Sequence, residues 1–114
     1  ASLPDPATLG SRMKGKTCAG VLVKGLDKSG EPKAVYIYNV IDNEWSMKEY
    51  GDQAVVWQTA VNPVIAMELI HEGIWKPEGV NGPEWFDSAP FLDRLQHFGA
   101  EWKIRDESVE GIKK

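Results

Sequence analysis

The chain has 114 residues, a formal net charge of −4, 42% hydrophobic and 26% charged residues, enough for one domain with a single modest core and unlike the composition of a disordered chain. No apolar run is long enough to cross a bilayer, and scattered Lys and Arg on an acidic chain argue against nucleic acid as a partner, whose phosphates need clustered cations. One cysteine, Cys18, and two histidines, His71 and His97, exclude an internal disulfide and a structural zinc set, which makes a reducing, cytoplasmic setting the natural one.

Residues 1–15 contain Pro4, Pro6, Gly10 and Gly15 and no apolar block, so they read as a linker or irregular lead-in. The chain lacks an initiating Met and is expected to be a piece of a longer protein. Lys16 to Leu26 reads as a strand, Asp27-Lys-Ser-Gly30 as a turn and Glu31 to Asp42 as the antiparallel partner, which makes a β-hairpin. Val35, Ile37, Asn39 and Ile41 share one face of the second strand and Tyr36, Tyr38, Val40 and Asp42 the other, so both faces are expected to be packed.

Asp42 or Asn43 caps a helix that ends near Gly51. Asp52 can cap a second helix through Gln53 and Trp57, separate from the first or continuous with it. Asn62-Pro63 marks the start of a further helix from Pro63 to Glu72, stopped by Gly73. Val64, Ile65, Met67, Leu69 and Ile70 nearly encircle that helix, which implies burial on several sides. Ile74 to Asp87, with two prolines and two glycines, is a loop pinned by Trp75, Trp85 and Phe86. Ser88 caps a short helix with Phe91, Leu92, Leu95 and Phe98 on one face, and Gly99 stops it. A short strand spans Glu101 to Arg105, and residues 106–114 form a charged, frayed tail. The fold class is therefore α/β in the α+β sense, a mixed or antiparallel sheet built on a hairpin and packed by helices. The five tryptophans, 45, 57, 75, 85 and 102, belong either to the core or to an interface.

Gly10-Ser-Arg-Met-Lys-Gly15-Lys16-Thr17 matches the phosphate-binding string G-x-x-x-x-G-K-[ST]. The chemistry of that string needs a strand before it and a helix after it, whereas a proline-rich lead-in precedes this one and a strand follows. No G-x-G-x-x-G occurs, so a dinucleotide-binding half of the usual kind is not expected. Cys18 reads as a packed thiol, His71 as a favourable charge at a helix end and His97 as a surface residue. What remains is a polar set of Asp42, Asn43, Gln53, Gln58, Thr59 and Asn62, most of which capping alone accounts for. On one continuous helix Gln53 and Thr59 would lie roughly 120° apart, so only a broad cleft could use both.

Gly15-Lys-Thr-Cys-Ala-Gly-Val-Leu-Val-Lys-Gly25, Val35-Tyr-Ile-Tyr-Asn-Val-Ile-Asp42 and Lys48-Glu-Tyr-Gly-Asp-Gln-Ala54 together resemble the C-terminal part of the saccharopine dehydrogenase family, in its saccharopine reductase-like and carboxynorspermidine dehydrogenase-like branches. The resemblance covers roughly residues 9 to 104. It implies that residues 16–105 are the substrate-binding and dimerisation domain of an NAD- or NADP-dependent oxidoreductase acting on secondary amines, in lysine or polyamine metabolism. Such enzymes transfer hydride at an imine carbon, using a cofactor held by an N-terminal Rossmann domain that is missing from this chain. The chain alone is then expected to bind no cofactor, to be inactive, to expose an apolar patch with some of the tryptophans in it, and to form a homodimer.

The resemblance places Asp42 against a substrate ammonium, and Gln53 and Thr59 against a carboxylate or imine substituent, of an amino-acid or diamine substrate; it assigns no catalytic acid or base. The chain departs from the carboxynorspermidine branch where Cys-Asp-His is Ile41-Asp42-Asn43, Ser-Gln-Ala is Asp52-Gln53-Ala54 and Thr-Gly-Val-Pro is Thr59-Ala-Val-Asn-Pro63. Those changes favour a saccharopine-like or other amino-acid substrate over a diamine. The other class open to this sequence is a stand-alone ligand-binding or interaction module, dimeric through the edge of the hairpin and without catalysis.

Overall fold

The computed structural model describes residues 6–108. A helical turn, α1 (Pro6–Leu9), runs into a 3-10 turn (Gly10–Arg12). Then come the hairpin strands β1 (Lys16–Leu26) and β2 (Pro32–Asp42), helices α2 (Asn43–Tyr50) and α3 (Ala54–His71), a 3-10 turn (Pro83–Trp85), helix α4 (Ala89–His97) and strand β3 (Trp102–Asp106). The fold is α+β. Its sheet is antiparallel with order β1-β2-β3, Lys16 opposite Asp42, Val21 opposite Ile37, and Ile37 opposite Ile104.

The hairpin register follows from its turn. The Asp27 carboxylate accepts from the Ser29 hydroxyl, the Ser29 N–H and the Glu31 N–H, and Gly30 takes the positive φ that closes the turn. The Ser29 hydroxyl, with the two backbone donors behind it, holds the Asp27 carboxyl below the usual aspartate range.

At its far end β2 passes straight into α2. The Asp42 carboxylate accepts from the Glu44 and Trp45 N–H groups at 2.8 and 3.2 Å, and Gly51 in the left-handed conformation ends the helix. Asp42 is therefore the cap and Asn43 the first helical residue.

Helix α3 is a single helix of 18 residues, and Pro63 lies inside it. The expected start at Asn62-Pro63 does not occur: Asn62 donates its side-chain amide to the Gln58 carbonyl, and the ring of Pro63 sits on the solvent side. An interior proline costs about 3 kcal/mol, which the burial of Val61, Ile65 and Leu69 on the opposite side offsets. Nor does Asp52 cap α3 through its side chain. Gln53 is the N-cap residue, and the Ala54 N–H goes to Asn43 Oδ1. Ser88 makes no capping bond either; Asp87 accepts from the Ala89 N–H in its place.

The core lies between the inner sheet face and the helices, and contains Ile41, Ala54, Trp57, Val61, Ile65, Leu69, Trp75, Leu95 and Ala100. Trp45, Tyr50 and Trp57 pack edge-on or tilted within 5.6 Å, and Trp75 stacks on Phe86 and Phe91 while its N–H reaches the Asp87 carbonyl. Four tryptophans therefore serve the core. Trp85 does not pin the loop as the sequence suggests, since it is 75% exposed. Arg94 ties α4 to α3 through Glu68 at 3.0 Å and Glu72 at 2.5 Å.

β3 starts and ends one residue later than expected. The residues after it are tied down, with Glu107 N–H on the Ala34 carbonyl and Ser108 Oγ accepting from the Ala34 N–H. Residues 1–5 and 109–114, which hold the outer parts of the expected lead-in and tail, lie outside the described residues.

Among the described residues no helix covers the outer face of the sheet. There Tyr36 and Tyr38 stack at 5.0 Å, Arg105 lies over both rings, and the Cys18 thiol is 3.7 Å from the Tyr36 hydroxyl, a contact that raises the Tyr36 pKa. Gly20 makes the stack possible: a Cβ there would stand 2.6 Å from Tyr38 Cβ and 2.8 Å from Tyr36 Cζ. The Cα radius of gyration is 17.9 Å, against about 13 Å for a compact chain of this length. Among the described residues no helix is long and apolar enough to cross a membrane.

Candidate functional site

Asn43 is the residue around which the mouth of the molecule is built. Its buried amide donates to the Gly10 and Met13 carbonyls at 3.0 and 2.9 Å, its Oδ1 accepts from the Ala54 N–H at 3.0 Å, and its own N–H goes to the Gly15 carbonyl. One side chain thus joins the lead-in, the start of β1, α2 and the start of α3. Gly10 is buried in the same place, where a Cβ would meet Met47 Sδ at 2.8 Å. The glycine-lysine string is consequently a packing element, not a phosphate cradle.

Beside this junction lies a cavity of about 160 Å³ lined by Met13, Lys14, Gly15, Lys16, Thr17, Asn43, Gln53 and Val55. Gln53 stands at the N-terminus of α3, the positive end of that helix dipole. Lys16 Nζ is 3.7 Å from Asp42 Oδ2, and Lys14 Nζ is 3.6 Å from Glu44 Oε1. All four side chains are solvated, and exposed pairs of this kind are worth at most about 1 kcal/mol, so a charged ligand can displace them at little cost. The cavity lining offers two ammonium groups and the Gln53 amide, and the carboxylates of Asp42 and Glu44 stand beside it on the two lysines. That set is matched to a zwitterion, whose carboxylate would meet the lysines and whose ammonium would meet Asp42 or Glu44.

The structure sets Gln53 on the lining of this cavity, holds Asp42 beside it only through its contact with Lys16, and leaves Thr59 away from it. Asp42 already caps α2 through one oxygen, which leaves the other toward Lys16. Thr59 is on the outer side of α3, exposed, and its hydroxyl donates to the Val55 carbonyl at 2.8 Å. Lys14, Lys16 and Thr17 are lining residues that sequence reasoning weighed only as part of the glycine-lysine string or not at all, and Asn43, counted in the polar set, was read as a cap. Counting outward from the Asp27–Gly30 turn pairs Lys16 with Asp42, and that signal was present in the chain.

A larger groove, about 470 Å³, runs between the inner sheet face and α3/α4, with Asn39, Gln58 and Asn62 as its amides and Trp102 and Leu92 among its apolar walls. Gln58 Nε2 donates to Asn39 Oδ1 at 2.5 Å and Asn62 Nδ2 to the Gln58 backbone carbonyl at 3.1 Å, so each of these amides has a partner within the protein. Among the described residues no three His, Cys, Asp or Glu side chains come together to hold a metal ion. A dinucleotide does not fit this set of residues: the sheet is antiparallel, and the glycine-bearing loop runs into a strand instead of a helix.

The chain is homologous to enzymes, each of whose names is that of a dehydrogenase or a synthase. It is 37% identical over 102 residues to the carboxyaminopropylagmatine dehydrogenase of Synechocystis sp., an alignment covering 90% of this chain and 25% of that enzyme. It is 34% identical over 106 residues to the carboxynorspermidine synthases of Vibrio alginolyticus and Vibrio cholerae, covering 93% of this chain and 25% of each. The chain therefore spans about a quarter of the length of the curated relatives it matches. No protein-family profile matches it.

Proposed function

We propose that this chain is the substrate-side portion of an NAD- or NADP-dependent dehydrogenase of the saccharopine dehydrogenase type. Its substrates are amines carrying a carboxyl-bearing arm, of the carboxynorspermidine or carboxyaminopropylagmatine kind. The observation that carries this reading is the similarity of nine-tenths of the chain to three enzymes named for such compounds. The mouth supports it, because a carboxyalkyl amine needs a cationic and an anionic partner a few ångströms apart, and Lys16 and Asp42 stand in that relation. The relatives' names fall on the polyamine side, against the amino-acid preference that the substitutions around Asp42, Gln53 and Thr59 suggest. The net charge of −4 also favours encounter with a polycation.

In this reading Lys16 and Gln53 hold the substrate carboxylate and Asp42 its ammonium, while Thr59 has no part in the opening. The nicotinamide cofactor is held by sequence beyond this chain, whose own residues do not fit it, and the working protein is cytoplasmic. A chimera tests the proposal: this chain replaces the matching quarter of the Synechocystis enzyme, and amine-dependent oxidation or reduction of the nicotinamide is followed. Turnover is expected, with Lys16→Ala and Gln53→Ala each lowering kcat/KM about tenfold and Thr59→Ala leaving it within about twofold. A folded chimera whose turnover is indifferent to Lys16, Asp42 and Gln53 would remove the site assignment. A folded chimera with no turnover would favour a non-catalytic module.

A further inference from the structure

The cavity at Lys16 and the larger groove are two stretches of one trench between β1 and α3. Alternate residues of a strand share a face, so Thr17, Ala19, Val21 and Val23 form the inner row of β1. Thr17 lines the cavity, and the row from Ala19 onward lines the groove. On α3, Val55, Gln58 and Asn62 are three and four residues apart and make one row on the helix surface. Val55 lines the cavity, and Gln58 and Asn62 line the groove. The passage from one to the other is a single step on each element, about 7 Å along the strand and about 5 Å along the helix. Ala19 is opposite Asn39 in the ladder, and Asn39 accepts from Gln58, so this amide pair stands where the groove leaves the cavity.

The two ends differ in chemistry. The cavity carries the ammonium groups of Lys14 and Lys16, whereas no Asp, Glu, His, Lys or Arg lines the groove. The polar groups of the groove are amides with bonding capacity left over. One bond between Gln58 and Asn39 leaves one carbonyl oxygen and one NH2 group, whichever way round the two amides are placed. Asn62 uses its NH2 on the Gln58 backbone carbonyl, which leaves its Oδ1. Among the described residues no donor meets Gln58 Oε1 or Asn62 Oδ1. Trp102, its Nε1 fixed on the Leu92 carbonyl at 3.0 Å, adds an aromatic wall.

A cation entering such a groove finds carbonyl acceptors and apolar surface but no carboxylate. An ammonium is compact and strongly hydrated, and its desolvation there goes uncompensated. A guanidinium is weakly hydrated, aims its N–H groups at acceptors in its own plane, and lays its faces on aliphatic and aromatic side chains. The volumes, about 160 and 470 Å³, are those of a small-molecule site and not of a seat for a protein segment.

We propose that the groove is the subsite for the distal arm of the substrate and selects an arm ending in a guanidinium over one ending in an ammonium, a subsite that rests on reading the cavity at Lys16 as the carboxylate end. The carboxylate lies at the lysines, the aliphatic chain passes Ala19 and Val55, and the guanidinium donates to Gln58 Oε1 and Asn62 Oδ1 beside Trp102.

Isothermal titration calorimetry of the 114-residue chain with γ-guanidinobutyrate and γ-aminobutyrate tests this, because the two probes share a carboxylate and an aliphatic chain and differ in the head group alone. The guanidino probe is expected to bind tighter by about fivefold or more. Gln58→Leu should lower its affinity about fivefold and Asn62→Ala about threefold, with little change for the amino probe and with unchanged circular dichroism. Gln58→Glu supplies the carboxylate that an ammonium needs, so it should raise the affinity of the amino probe and narrow the preference, which a merely structural Gln58 would not do. Lys16→Ala should weaken both probes alike and leave their ratio unchanged, so the ratio reads the groove and the shared loss reads the cavity. Equal affinities on the unaltered chain, a ratio indifferent to Gln58 and Asn62, or no binding of either probe would overturn the subsite, whatever the turnover of the chimera. A ratio that follows Gln58 while Lys16→Ala changes nothing would support the subsite and remove the assignment of Lys16.

Discussion

At the end of the sheet that holds Thr17, Asn39, Ile41 and Trp102, the inner face lies under α3 and α4, Ile41 is 2% exposed and the Trp102 N–H reaches the Leu92 carbonyl. At the other end Val21, Val23 and Ile104 are the same kind of residue on the same face, and they stand in solvent. Hydrophobic character is therefore not what separates core from surface in this chain; the reach of the helix layer is. The same holds around α3, whose inner row of Val61, Ile65 and Leu69 is buried while Val56, Val64, Met67 and Ile70 on its other sides are exposed. Two uncovered apolar surfaces on so small a chain are of the kind on which further protein can pack.

This contrast can be broken by substitution. Leu69→Ala, at a fully buried position under the roof, should cost about 4 kcal/mol and lower Tm on the order of 10 °C or more, read by thermal or urea denaturation. Asn43→Ala leaves the Gly10 and Met13 carbonyls and the Ala54 N–H without their partner. It should cost about 3 kcal/mol by the same measurement, and should loosen the mouth even where the fold survives.

A smaller effect is expected in acid. Asp27 and Asp106 are both held below the ordinary aspartate range, each by a serine hydroxyl, Ser29 and Ser108. The folded chain therefore binds fewer protons than the unfolded one, and the stabilisation is complete above about pH 4 and lost as the pH falls through the lowered folded values. Asp27→Asn should flatten that part of the stability profile. Least of all, Val23→Thr on the bare half should change the stability of the dilute monomer by no more than about 0.5 kcal/mol. An equal loss at Val23 and Leu69 would show that the distal sheet is covered in the monomer.

Much of this was legible in the chain. The turn at Asp27–Gly30, the two strands and the Asp42 cap all follow from local chemistry, because each is decided by residues within a few positions of one another. Asn62-Pro63 misled because its local preference for a helix start is outweighed by burial along 18 residues, which a local pattern does not contain. The mouth was half legible. Gln53 lines it and Asp42 stands beside it on Lys16, but Asn43 looked like one more cap, and its bonds to Gly10 and Met13 cross about 30 residues of sequence. The tryptophans could be core or interface by composition, and only packing puts Trp75 inside and Trp85 outside.

Amide hydrogen exchange along β1, followed residue by residue as the chain is diluted, tests the division of the sheet most directly. In the dilute chain the account predicts that Thr17, Ala19, Val21 and Val23, whose N–H groups bond β2, are protected, while Cys18, Gly20, Leu22 and Lys24 exchange freely. Equal protection of the two sets in the dilute chain would contradict it.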